Sequence, residues 1–370
     1  METTGATTTR VQALVADLTE DLLFAVSRGS KELFHSDLLA WFAEHEPAVT
    51  RALLDLWAPG TAGGHVRAYR ELRRLDLVLA EDDPAGAGTL AVVENKMFAL
   101  PDTDQLRRYG HEVDRLPGSP VLILLGLADP GWPDGRWFDG DGHEWRYCSY
   151  AALAAALGEL DLPASTDPFA VMTLSRWVEM LEKTSGLAAL VGDPHPDHAL
   201  MLDRPICEAL GALNIPVQKL RAYAVATRIR AMVGDASGEV RINATATHGV
   251  GLVEAFVPVA DGVEAGWQLQ GEHWRVAVRV RPGHPLHGRD DAARRGRFAM
   301  VEDSGWTDLL RDGAFAGRPI VPEPAGPESF NRFDPDFVYR YVSVPGITVG
   351  QAVSEGVRII DAARSSDRFR

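Results

Sequence analysis

The sequence predicts an α/β domain followed by an α+β domain, and three observations carry that expectation. Two apolar runs, Leu90 to Val93 and "VLILLGL" from Val121, bracket a helical segment from Thr103 to Leu116. Strand, helix and strand in that order imply a parallel pair. The second run is apolar enough to lie centrally in a sheet covered on both faces. After the turn formers of "LVGDPHPDH" the texture changes to alternating β segments, which marks a boundary and divides the chain into domains at about 1–190 and 200–370.

Each element has its own signal. Val11, Leu14, Val15, Leu18, Leu22 and Phe24 fall close to one helical face, and Leu33, Phe34, Leu38, Trp41 and Phe42 repeat the pattern, so two helices open the chain. Past the glycine-rich "APGTAGG", the stretch "HVRAYRELRRLDLVLA" alternates at Leu75, Leu77 and Leu79 as a strand does. "EDDPAGAGT" is turn chemistry and "LAVVENK" the next strand. "SYAALAAALGEL" and "DPFAVMTLSRWVEMLEKT" read as helices capped by Ser149 and Asp167. In the second half "EVRINATATHG", "GLVEAFVPVAD", "GWQLQG", "HWRVAVRVR" and "DFVYRYVSV" are strands, with helices at Val217 to Val233 and Thr348 to Ala363.

Composition bounds the function. A chain of 370 residues with 46% hydrophobic content can bury a large core, and no run of about 18 apolar residues suggests a membrane span. The opening METTGATTTR lacks the basic and apolar regions of a signal peptide, so a cytoplasmic location is expected. Cys148 and Cys207 cannot form a disulfide framework or a CxxC zinc site and are expected as core thiols. A net charge of -15 argues against a surface coated in phosphate-binding cations, although arginines cluster at Arg67, Arg70, Arg73 and Arg74, at Arg107 and Arg108, and from Arg289 to Arg297. No GxxxxGK[ST] loop is present.

The stretch "LAVVENKMFALPDTDQLRRY" ends an apolar strand in two charges. Residues i and i+2 share a strand face, so Glu94 and Lys96 project together, with the Asn95 carbonyl beside them. If the preceding strand pairs across the intervening turn, Asp76 lies opposite. Two carboxylates and a lysine then converge, a set suited to Mg2+ or Mn2+, which take oxygen ligands plus water and substrate phosphate. Such a cation stabilises charge on phosphate while a lysine orients the attacking water, which is the equipment for cleaving a phosphodiester.

Asp76 followed by Glu94-Asn95-Lys96 resembles the PD-(D/E)xK nuclease superfamily, with Leu75 where the leading proline stands. "DQLRRYG" places Gln105 and Tyr109 on one helical face and is similar to the QxxxY element of the RecB-like branch, while "KELFHSDLLAWF" is similar to a helix that precedes the core in one bacterial family. The resemblance covers roughly the first half of the chain. It implies a restriction-endonuclease-like α/β/α core with a mixed central sheet, followed by the α+β domain for substrate or partner recognition. It further implies that Asp76, Glu94 and the Asn95 carbonyl ligate the metal and that Lys96 positions the water. Glu32 would reach the metal or hold Lys96, and Gln105 and Tyr109 would support the site.

The implied function is a Mg2+-dependent nuclease acting on nucleic acid, DNA ahead of RNA, with a role in genome defence or mobile-element biology. The competing reading is a catalytically silent binding or regulatory protein on the same fold. A homodimer, or a partner protein on the C-terminal domain, is compatible with either. Plainer readings stand beside several residues. Glu32 and Gln105 could face water, Tyr109 could be a core aromatic, Glu71 is a second acid ranked below Glu32, and His35 reads as a structural histidine beside Ser36. His195 and His198 read as linker, and "FDGDGHE" as a hairpin turn rather than a calcium loop. Trp132, Trp137, Phe138 and Trp145 read as a packed β edge. The arginine-dense "RVRPGHPLHGRDDAARRGR" is balanced between solvated surface and a phosphate-contacting loop.

Overall fold

The computed structural model describes all residues except 1–3, 31, 62–64, 82–87, 235–239, 327–328 and 370. It divides into two compact units, residues 1–191 and 192–370. The anticipated turn across 82–87 lies outside the described residues.

The first unit opens with four helices rather than two, α1 (Thr4–Glu20), α2 (Leu22–Ser30), α3 (Glu32–His45) and α4 (Pro47–Trp57). Asp21 breaks the first expected helix because its side chain accepts from the Phe24 N–H at 2.9 Å and starts a new one. Pro47 likewise opens α4 from its first position. The strands β1 (Val66–Leu72), β2 (Leu75–Glu81), β3 (Thr89–Lys96), β4 (Val121–Gly126), β5 (Arg136–Phe138) and β6 (Glu144–Ser149) form one sheet in the order β1-β2-β3-β4-β6-β5. β3, β4 and β6 run parallel, and the remaining pairs are antiparallel, so the sheet is mixed.

Strand parity sorts the two faces. Val78 of β2, Val92 of β3 and Leu122 and Leu124 of β4 pack with Leu106 and Val113 of α5 (Thr103–Val113). The opposite face meets α3, which lies against β1, β2 and β3. Helices α6 (Tyr150–Gly158) and α7 (Pro168–Leu187) complete the unit, their N-termini capped by Ser149 and Asp167. Burial pushes the Cys148 thiol up to about 11, as befits a core thiol.

The "FDGDGHE" segment joins β5 and β6, and its acids serve protein groups. Asp139 Oδ1 accepts the N–H groups of Asp141 and His143, its Oδ2 pairs with His143 Nδ1 at 2.6 Å, and His143 Nε2 meets Asp114 at 2.9 Å. This ties the hairpin to the C-terminal end of α5. Gly110 makes the close approach possible, because a Cβ there would come within 2.5 Å of His143 Nδ1.

The second unit is an antiparallel sheet of β7 (Arg241–Thr247), β8 (Val250–Ala260), β9 (Val263–Gln270), β10 (His273–Val280), β11 (Ile320–Val321), β12 (Asn331–Phe333) and β13 (Phe337–Ser343). It is joined by α8 (Arg204–Leu210), α9 (Asn214–Val233), α10 (Asp291–Ser304) and α11 (Val349–Arg364), of which α9 and α11 pack together and onto the sheet. Trp267 and Trp274 stack in its core at 4.6 Å. The arginine-dense stretch is in part a helix rather than a loop. Asp290 caps α10, and the helix turns Arg294 and Arg297 toward Asp334 at 2.7 and 2.8 Å. Arg297 is wholly buried and also donates to the Leu286 and Gly288 carbonyls, so these two guanidiniums close the fold rather than reach for phosphates. Among the described residues no helix is long and apolar enough to cross a membrane.

The His143 tie makes stability depend on pH. Burial lowers the His143 pKa, but the bonds to Asp114 and Asp139 outweigh it and the net shift is upward. A raised histidine contributes fully below its unfolded value of about 6.5 and loses that contribution as pH climbs through the folded value. His143→Gln should therefore flatten the fall in melting temperature between mildly acidic and alkaline pH. Gly110→Ala should cost about 1–3 kcal/mol by overpacking. Equal pH profiles for wild type and His143→Gln would contradict the assignment.

Candidate active site

β2 and β3 pair with Leu77 against Val93, and one further step of that register puts Asp76 opposite Glu94. Even-numbered positions of β3 face α5, so Glu94 and Lys96 emerge on the side where α5 lies. The charge of Asp76 reaches Glu94 and opposes its ionisation. Asp76 Oδ2 also accepts the Asn95 N–H at 2.8 Å, which locks the first acid onto the neighbouring strand. Glu94 Oε1 receives Lys96 Nζ at 2.7 Å and Gln105 Nε2 at 3.0 Å. Gln105 Oε1 accepts from the same ammonium at 2.8 Å, and its amide reaches the Tyr109 hydroxyl at 2.7 Å. Helical spacing lets one turn of α5 supply both residues.

The electrostatics follow from burial. Only 2% of the Glu94 side chain is exposed, and that burial, reinforced by the charge of Asp76, lifts its pKa to about 8 against the pull of Lys96. Asp76 is raised for the same first reason, held back by the Asn95 N–H and Lys96. Lys96 is shifted upward as well, because Glu94 outweighs the cost of burying the ammonium. Glu94 Oε2 is buried without a hydrogen-bond partner.

An unpartnered carboxylate oxygen beside a second carboxyl could take a cation. Among the described residues no group of three or more His, Cys, Asp or Glu could enclose a metal. Mg2+ retains waters and takes one or two carboxylates, which this pair could supply. Asp76 and Glu94 would be the ligands. The Asn95 carbonyl that could join them is the backbone one, since the side-chain oxygen is already occupied.

Odd-numbered positions point the other way, and there the support lies. Asn95 Nδ2 donates to the Glu32 carbonyl at 2.9 Å and to Ser36 Oγ at 3.0 Å, and the buried Tyr150 hydroxyl donates to Asn95 Oδ1. Glu32 is placed differently from the expectation that it holds Lys96. Its Oε1 accepts the N–H groups of Phe98 and Ala99 at 3.1 and 3.0 Å, so it fixes the chain just after Lys96 rather than the ammonium. His35 accepts from Trp177 Nε1 at 3.1 Å, and burial pushes its pKa down to about 3, which leaves a neutral, structural ring. Glu71 is exposed at the end of β1, close enough for its charge to raise Asp76.

Two supporting residues carry no sequence signal. Tyr150 lies 55 positions from Asn95, and a tyrosine at a helix start looks like any core aromatic. Arg70 donates through Nε to the Asp76 carbonyl at 3.0 Å and pairs with Asp37 across the β1–α3 contact. Tyr150→Phe should strand the buried Asn95 oxygen and cost about 1–3 kcal/mol. Thermal unfolding would show this as a drop of several degrees, and an unchanged midpoint would refute the assigned bond.

The comparisons with known proteins bear on the same segment. Residues 20–160 match the sequence profile of the PD-(D/E)XK nuclease superfamily, a stretch that runs from the end of α1 to just past α6. No curated protein and no solved structure matches the chain. The matched stretch contains the whole mixed sheet together with Asp76, Glu94, Lys96, Gln105 and Tyr109. Over residues 20–160 this chain is therefore similar to the PD-(D/E)XK nuclease superfamily.

Proposed function

We propose that the chain is a metal-dependent nuclease that hydrolyses phosphodiester bonds at the ends of β2 and β3. The observation that carries this reading is Glu94, a buried acid that feels the charge of Asp76 and is bonded at once to Lys96 and Gln105, with one oxygen left over. Burying that much charge is unfavourable and gives the fold nothing an apolar pair would not. Function is the simplest reason to keep it.

A divalent cation such as Mg2+ or Mn2+ would supply Lewis-acid stabilisation of the scissile phosphate and a more acidic water. Asp76 and Glu94 hold it. Lys96, fixed from two sides by Glu94 and Gln105, presents its remaining proton to a water and offsets negative charge on the phosphate. Tyr109 fixes the far side of the Gln105 amide, so the ammonium cannot swing away. Glu32 acts at one remove by setting the backbone that follows Lys96. DNA ahead of RNA as substrate, and a role in genome defence, rest on the family likeness. The second unit supplies recognition of substrate or partner in this reading.

Purified protein incubated with plasmid, linear duplex, single-stranded DNA and RNA should cut at least one of them in Mg2+ or Mn2+ and none in EDTA. Asp76→Asn and Glu94→Gln should abolish cleavage with folding intact. Lys96→Arg should keep nucleic-acid binding yet lose about two orders of magnitude in rate, because a planar guanidinium cannot orient the water as the compact ammonium does. Wild-type protein that binds nucleic acid with metal but cuts nothing, with Lys96→Arg indistinguishable from it, would make the silent binding module the better account.

A further inference from the structure

The hairpin that delivers Asp76 is built from unsuitable residues. Leu72 pairs with Leu75, leaving Arg73 and Arg74 as a two-residue turn. Both have positive φ, 54° and 70°, and Glu71 just before them has φ 54°. A turn with positive φ at both central positions favours Asn-Gly, since side chains with a Cβ are disfavoured there. Strain of this kind persists where the conformation serves something else.

The arginines also stand apart in their charge environment. Both are exposed, and neither guanidinium has a hydrogen bond or ion pair among the described residues, while the Arg74 N–H donates to the Glu71 carbonyl at 3.3 Å. Nearby cations are spoken for: Arg70 pairs with Asp37, and Arg107 with Asp104 at 2.8 Å. In a chain of net charge -15, two free guanidiniums side by side are unusual company for a pair of acids. Arg74 precedes Asp76 by two residues, about 7 Å along a strand at roughly 3.3 Å per residue. That distance suits a phosphate neighbouring the scissile one. Arg108, exposed and likewise unpaired, stands one residue before Tyr109 on α5, and Tyr109 packs on the same apolar cluster as Leu72 of the hairpin. Cations thus approach the acid pair from the hairpin and from the helix.

We propose that Arg73 and Arg74 form a phosphate clamp that holds the nucleic-acid backbone beside the Asp76–Glu94 pair. The proposal rests on the nuclease reading and adds the binding element that offsets the chain's negative charge at the site. Phosphate neutralisation by two cations predicts a defined salt signature.

The experiment measures binding of labelled duplex and single-stranded DNA in the Lys96→Arg background, and steady-state cleavage in the otherwise wild-type protein. Arg73→Asn combined with Arg74→Gly supplies the residues the turn prefers while removing both charges. Its melting temperature should hold or rise, its affinity at moderate salt should fall about tenfold, and its log–log salt slope should flatten by about two for duplex DNA. KM should rise with kcat within about twofold. Arg73→Lys with Arg74→Lys should retain most of the slope. Should the Asn-Gly hairpin misfold, Arg73→Gln with Arg74→Gln removes the charge at unchanged turn preference and should flatten the slope alike. An unchanged slope and KM in a folded, uncharged variant of an enzyme that cuts would overturn the clamp alone. A wild type that neither binds nor cuts would remove the nuclease reading and the clamp together.

Discussion

The first unit is organised around a carboxyl group that folding has taken out of water. Glu94 sits at the end of a strand whose preceding residues, Ala91 to Val93, are wholly core, so continuity of β3 fixes its depth. Ionised, it needs donors. Lys96 supplies a charged one and Gln105 a neutral one, while burial and then the charge of Asp76 oppose them and lift its pKa to about 8. Folding disfavours an ionised acid whose pKa is raised, so this group withdraws stability as pH rises from the ordinary carboxylate range to about 8. Sites of that kind trade stability for chemistry.

One alternation explains how the rest of the unit serves this group. Glu94 and Lys96 face α5, and Asn95 between them faces α3 and Tyr150. The same three residues thereby bear both the Glu94–Lys96 pair and the anchor that holds it. Asn95 joins the two sides, donating its N–H to Asp76 while its side chain bonds Glu32, Ser36 and Tyr150. A residue between two conspicuous charges is thus the mechanical centre of the site. The His143 tie plays a similar part at a distance, since it holds the far end of the helix that carries Gln105 and Tyr109.

Much of this was legible in the sequence, for reasons that differ by element. The parallel pair and the Glu94–Lys96 face follow from local period, and α5 from its place between the two apolar runs and the Gln105–Tyr109 spacing. The four opening helices were read as two, because an apolar stripe continues across Asp21 while the chain does not. Glu32 was recognisable as an acid near the site, but whether it meets a metal, an ammonium or backbone amides depends on how α3 crosses β3, which no local pattern encodes. Tyr150 and Arg70 were invisible for the same reason. The Arg294 and Arg297 cluster looked like a loop because Asp334, the acid that draws both inward, lies about forty residues away.

The central claim is that Asp76 and Glu94 together constitute a cation site, with Lys96 beside it. Calorimetric titration of the full chain with Mg2+ and with Mn2+, without nucleic acid, tests this without relying on cleavage. The account predicts saturable binding to wild type that is lost in Glu94→Gln and in Asp76→Asn, each of which remains folded by thermal unfolding. Undiminished cation binding by folded Glu94→Gln would contradict it.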